Sequence, residues 1–194
     1  MLTSAHVDRP ADVLTIEWSL PHAQSSAWRH LTDAETVHEW LGQPKTFDAR
    51  VGGEIIVDHD DGYLCRSNVL SATHDDGPSH TSTAELSWEF PDDPPSRLSL
   101  RTFDTNDRAG NTGNNTASTL VLQHSGLGEL IDSYLTGWLT HLTYFEASLS
   151  GAPLPPSQFW PLFATFEQLR APADDGHLPR LQTDSLTKPS GLDH

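Results

Sequence analysis

The feature that most constrains this chain is its longest helical pattern, Glu129 to Leu149. It follows directly on a strand-like run, Ala117 to His124, and a turn through Ser125-Gly126-Leu127-Gly128. Leu130, Tyr134, Trp138, Leu142, Phe145 and Leu149 recur at helical steps, and Ile131 and Leu135 widen the stripe. One face must therefore be buried. At about 1.5 Å per residue the segment runs roughly 30 Å, enough to cross a small sheet. Gly151 and Pro153 stop it, as a glycine past the helix end followed by proline usually does. A long closing helix behind a β-rich middle predicts a sheet wrapped round one helix. The centre of such a fold is either filled with side chains or left open for a ligand.

Upstream, Val13 to Leu20 alternates as a strand, with Leu14, Ile16, Trp18 and Leu20 on one face. Ser25 or Ser26 starts a short helix carrying Ala27, Trp28 and Leu31. Asp33 reads as the N-cap of a second, which brings Val37, Trp40 and Leu41 to one side. Strands are then predicted over Thr46 to Arg50, Glu54 to Asp58, Tyr63 to Ser71, Ser82 to Phe90 and Arg97 to Phe103. Turns fall at Gly52-Gly53, Asp60-Asp61-Gly62 and Asp75-Asp76-Gly77-Pro78. A polar loop, Asp104 to Asn115, leads to the last strand. Helices segregated from an antiparallel sheet make an α+β layout. Phe47, Ile55, Val57, Leu64, Leu86, Leu100 and Leu122 are candidate inward positions. The predicted organisation is a flexible N-terminus over 1–11, one domain over 12–151, an extension over 152–170 and a disordered tail over 171–194. The extension holds an amphipathic run, Phe159 to Leu169.

Composition narrows the partners. With 27 Asp and Glu against 11 Lys and Arg, the net charge of −16 opposes nucleic acid and anionic membrane surfaces. Cys65 is the single cysteine, so no internal disulfide forms, and no apolar run approaches the ~18 residues of a membrane span. The expected location is the cytoplasm.

The order of elements carries a resemblance. Ser26-Ala27-Trp28 to Leu31-Thr32-Asp33, Val37-His38-Glu39-Trp40-Leu41-Gly42 and Val51-Gly52-Gly53-Glu54 are its first pieces. Ser87-Trp88-Glu89-Phe90, Ser118 to Leu127, and Gly137-Trp138 with Leu142, Phe145 and Leu149 complete it. In these the chain resembles the START-like (SRPBCC) helix-grip superfamily, and within it the bacterial relatives of the C-terminal domain of the Hsp90 ATPase activator. The resemblance covers residues 12 to 151. It implies a helix-grip fold: a curved antiparallel sheet around a long C-terminal helix, two short helices after the first strand, and a cavity between sheet and helix. The implied activities run from binding hydrophobic small molecules to chaperone regulation, so the resemblance says more of fold than of function. The chain departs from the minimal domain in its long polar loop, Asp104 to Asn115, and in everything past Gly151.

The cavity candidates are Trp28, Trp40, Trp88, Tyr134, Trp138, His141 and Phe145. Aromatic rings with a few polar handles are what an apolar pocket of about 300 to 1,000 Å³ uses to hold a ligand. The same spacing also describes ordinary core. Trp28 and Trp40 either lid the cavity mouth or seal the small helices to the sheet. Eleven histidines invite a metal, yet their spacing resists one, and His59 among Asp58, Asp60 and Asp61 reads as a solvated turn. No metal and no cofactor are expected. His124 and Ser125 point to opposite faces of a strand and form no dyad, and no residue is assigned a catalytic role.

The leading expectation is a binder of a small apolar or aromatic molecule, without defined catalysis. An Hsp90-activator-like interaction module with a chaperone partner, and an enzyme resembling polyketide cyclases and aromatases, are the alternatives. The run Phe159 to Leu169 either packs back on the domain or pairs two copies as a homodimer.

Overall fold

The computed structural model describes residues 1–74, 81–105 and 117–170. The turn at 75–78, the loop beyond Thr105 and the tail 171–194 lie outside the described residues.

Alternation builds the sheet. The strands are β1 (Leu2–Asp8), β2 (Val13–Leu20), β3 (Gln43–Phe47), β4 (Glu54–Asp58), β5 (Leu64–His74), β6 (Thr81–Trp88), β7 (Ser96–Asp104) and β8 (Ser118–Ser125). Among the described residues they form one antiparallel sheet in the order β1-β2-β8-β7-β6-β5-β4-β3. In β2 the predicted face is the buried one, and Ile16 pairs with Leu122 while Leu14 pairs with His124. Leu98 of β7 also pairs with His124, which puts that imidazole on the inner face among leucines. This is the α+β, helix-grip architecture that the sequence predicts.

The helices are α1 (Gln24–Leu31), α2 (Ile131–Leu149) and α3 (Phe159–Arg170), with 3-10 turns at Val37–Glu39, Gly128–Leu130 and Pro156–Gln158. α2 closes the concave face of the sheet with Ile131, Leu135, Trp138, Leu142 and Phe145 buried. Its first predicted residues belong to the 3-10 turn instead. α3 lies against the other side of α2.

Several expectations are corrected. Residues 1–11 are predicted to be flexible, yet Leu2–Asp8 forms edge strand β1. Ala5 pairs with Ile16, and the strand is almost wholly exposed. Backbone pairing rather than apolar burial holds it, so it leaves no hydrophobic pattern. α1 starts at Gln24 rather than at a serine, because the Asp104 carboxylate accepts the Gln24 backbone N–H at 3.2 Å from the end of β7. The second helix is a single 3-10 turn, though Val37, Trp40 and Leu41 are buried as expected. β3 begins before Pro44, which an edge strand tolerates because one row of its N–H groups is unpaired. Leu64 does not face in; Cys65, Ser67 and Val69 do. At the β3–β4 turn Gly52 sits at φ +81, and a Cβ on Gly53 would lie 2.2 Å from the Asp48 carbonyl oxygen. Only glycine fits there.

Candidate functional site

The space between sheet and α2 is nearly filled. A void of about 50 Å³ remains, walled by Leu31, Val57, Leu98, Leu122 and Leu142 among others. That volume holds a few atoms, far below the roughly 300 Å³ at which ligand pockets begin.

A cleft of about 620 Å³ opens on the outer side of the same wall. Its floor is the flank of α2 that carries Tyr134, Gly137, Trp138 and His141. α3 and its approach supply Phe159, Trp160 and Phe163, the segment after the 3-10 turn supplies Trp40, and the β4–β5 turn supplies His59 and Tyr63. Trp88 and Phe90 come from the end of β6.

The rings touch in sequence across the cleft. Tyr63 stacks on Phe90 at 4.7 Å, Phe90 meets His59 edge-on at 5.0 Å, and His59 meets His141 at 5.5 Å. His141 then meets Phe159 at 4.8 Å, Phe159 meets Trp160 at 5.3 Å, and Trp160 meets Phe163 at 5.6 Å. Offset and edge contacts of this kind leave ring faces and edges free for a planar guest.

The polar groups are few and mostly committed. Tyr134 donates its hydroxyl to Asp93 at 2.6 Å; burial and that carboxylate push its pKa well up, so it is no proton donor at neutral pH. The Trp40 carbonyl accepts a bond from His141 Nδ1 at 2.8 Å, so that nitrogen carries the ring proton. Burial lowers the pKa of His141 to about 4, and burial together with the neighbouring His141 lowers that of His59 to about 3. Both rings are neutral. Glu39, Asp60 and Asp93 line the cleft, and among the described residues no lysine or arginine does. This arrangement can hold and orient a molecule; among the described residues it has no assembled acid–base pair.

Of the sequence candidates, Trp40, Trp88, Tyr134, Trp138 and His141 line the cleft. Trp28 and Phe145 line neither space. Phe145 is fully buried and packs edge-on against Trp40 and His30, while Trp28 is buried in the core, sealing α1 rather than lidding a mouth. His59 is corrected from a solvated turn residue to a packed ring of the wall, because the β4–β5 hairpin folds its end against Phe90 and Trp88. Sequence reasoning missed Phe90, Tyr63 and Asp93. It did single out Phe159, Trp160 and Phe163, but not as neighbours of α2's polar flank.

Other reactive side chains are accounted for. Burial pushes the Cys65 thiol up to about 12, which leaves it without thiolate character. The imidazole of His124 accepts at Nδ1 from Trp138 Nε1 at 2.9 Å and donates from Nε2 to Ser96 Oγ at 2.8 Å; Ser96 in turn donates to the Trp88 carbonyl at 3.0 Å. Each of these groups is satisfied, so this is a structural chain that fixes the Trp138 ring and the Trp88 backbone, with the Trp88 indole N–H outside it. Ser125 takes no part in it. Among the described residues no group of three His, Cys, Asp or Glu is placed to hold a metal, and no helix is long and apolar enough to cross a membrane.

No family model matches the chain, and no curated protein matches it. Solved structures do. CalU16 from Micromonospora echinospora superposes with TM-score 0.60 at 17% identity, over 87% of this chain and 94% of its own. The protein encoded by BPP1335 of Bordetella parapertussis gives 0.58 at 20% identity, over 91% and 93%. DynU16, from the dynemicin biosynthetic locus, gives 0.56 at 22% identity over 73% of this chain; the match spans about half, 49%, of DynU16. At these identities the likeness is one of fold, and it supports the helix-grip architecture.

Proposed function

We propose that this protein binds a small hydrophobic or aromatic molecule, and that the binding site is the outer cleft between α2 and α3. The observation that carries the reading is the cleft itself: about 620 Å³ with a continuous aromatic wall, within the range of ligand sites. The sheet–helix centre, where the sequence alone places the ligand, is too small at about 50 Å³.

The test is titration with Nile red, an uncharged apolar dye whose emission rises in a dry site. Saturable binding to the full chain is expected, weakened severalfold by Phe163→Ala, since truncating one ring removes apolar contact area at the wall. Absence of saturable binding, or an affinity indifferent to Phe163→Ala and Trp160→Ala alike, overturns the reading.

A further inference from the structure

Resting on that reading, we infer that the ligand is an uncharged aromatic molecule carrying a keto, ether or phenolic oxygen, an acceptor for the indole N–H groups of Trp40 and Trp88. Aromatic carboxylates and fatty acids are excluded.

The argument begins with unmade hydrogen bonds. Among the described residues four buried side-chain polar atoms lack a partner: Trp40 Nε1, His59 Nε2, Trp88 Nε1 and Ser118 Oγ. The first three belong to residues of the cleft wall, and the fourth does not. Two other buried indoles are satisfied. Trp18 Nε1 donates to Glu146 at 2.7 Å and Trp138 Nε1 donates to His124 at 2.9 Å. A buried donor left unpaired carries a free-energy penalty that an incoming acceptor removes. Indole nitrogen is a donor only, so what relieves it is an oxygen lone pair, not another N–H.

Both tryptophans wall the inner void as well as the cleft, and binding would turn the N–H edge of each ring toward the cleft. Trp40 and Trp88 are 6% and 5% exposed, so a bond made there is shielded from water. It is correspondingly stronger than one at the surface.

Charge decides the rest. Among the described residues the lining carries three carboxylates and no lysine or arginine, and the lining imidazoles of His59 and His141 are neutral. Tyr134 spends its hydroxyl on Asp93. A carboxylate guest would bring an acceptor but would meet only like charge, in a chain whose net charge is −16.

The experiment compares three probes of one ring system by quenching of tryptophan fluorescence on the full-length protein: naphthalene, 2-acetylnaphthalene and 2-naphthoate. The ketone is expected to bind roughly tenfold more tightly than the hydrocarbon and at least about tenfold more tightly than the carboxylate. Trp88→Phe and Trp40→Phe, each checked for native circular dichroism, should shrink the ketone's advantage while sparing naphthalene. Equal affinity for naphthalene and the ketone, or tighter binding of 2-naphthoate, overturns the inference while leaving the cleft as a site. Failure of all three probes and of Nile red overturns the cleft reading itself.

Discussion

Replacing His124 by glutamine is expected to weaken the fold near neutral pH and to cost progressively less as the solution is acidified. The imidazole is fully buried, and both its nitrogens are used: Nδ1 receives the Trp138 indole proton, and Nε2–H goes to Ser96. Protonation would set two donors against each other at Nδ1, and burial already lowers the pKa to about 3. In the unfolded chain a histidine titrates near about 6.5. Between those values the unfolded state binds a proton that the native state refuses. The stabilisation is therefore whole above about pH 6.5 and is lost as pH falls toward about 3. From about pH 7 to about pH 5 the loss from this one group is about 2 kcal/mol. The variant lacks the group. Its deficit, about 1 to 3 kcal/mol at pH 7 for the broken bonds, should narrow by about 2 kcal/mol at pH 5. All other titrating groups are common to both proteins and cancel in the difference. Urea unfolding of the pair at both pH values measures it, and imidazole nitrogen shifts report the protonation state directly. A deficit that does not change with pH, or an imidazolium signal from native His124 at about pH 5, would refute the argument.

Three further outcomes separate packing from binding. Phe145→Ala should cost about 3 to 5 kcal/mol in urea unfolding and leave Nile red affinity unchanged, because the ring is core and lines no cleft. Asp132→Asn should remove the anchor of α3: Asp132 takes Arg170 at 2.9 Å and Arg9 at 2.6 Å through its carboxylate. These pairs are exposed, so global stability should fall by under about 1 kcal/mol, while amide exchange over Phe159–Arg170 quickens; unchanged exchange would count against an anchoring role. Gly137→Ala places a methyl where nothing lies within 4 Å, on the cleft floor. It should raise stability by about 0.5 to 1 kcal/mol through helix propensity and lower dye affinity, and a gain in both would contradict the proposed seat of the ligand.

The fold was legible because its strands alternate and its closing helix repeats. β2 and β4 have the predicted bounds, and Leu14, Ile16, Leu122 and Leu142 all face in. What escaped the sequence was non-local. Edge strand β1 is held by hydrogen bonds to β2, and α1 is started by a carboxylate on β7, so neither writes a local signal. Five of the seven candidate rings do line the cleft, since helical spacing groups Tyr134, Trp138 and His141 whatever their partners are. Phe145 shares that spacing and is core, because periodicity names a stripe and not which neighbour covers each flank. His59 was lost to its aspartates: a polar turn sequence conceals that the hairpin end folds onto Phe90.

The position of the cleft follows from how α2 divides its rings. Leu135, Leu142 and Phe145 turn to the sheet and fill the centre, whereas Tyr134, His141 and Tyr144 border the cleft on the other side, with Trp138 between. Trp40, Trp88 and Trp138 wall both spaces, so one aromatic layer closes the core and floors the site. A chain ending at the last residue of α2 would leave that layer as an open face. Pro155 accepts the Tyr144 hydroxyl at 2.8 Å, α3 then crosses α2, and Arg170 ties its far end to Asp132 and Thr136. The segment beyond Gly151 thus adds the wall that faces His59, Tyr63 and Phe90 across α2. The proposed binding site is completed by that extension, which supplies Phe159, Trp160 and Phe163 as one wall, while the helix-grip core supplies the floor and the facing wall.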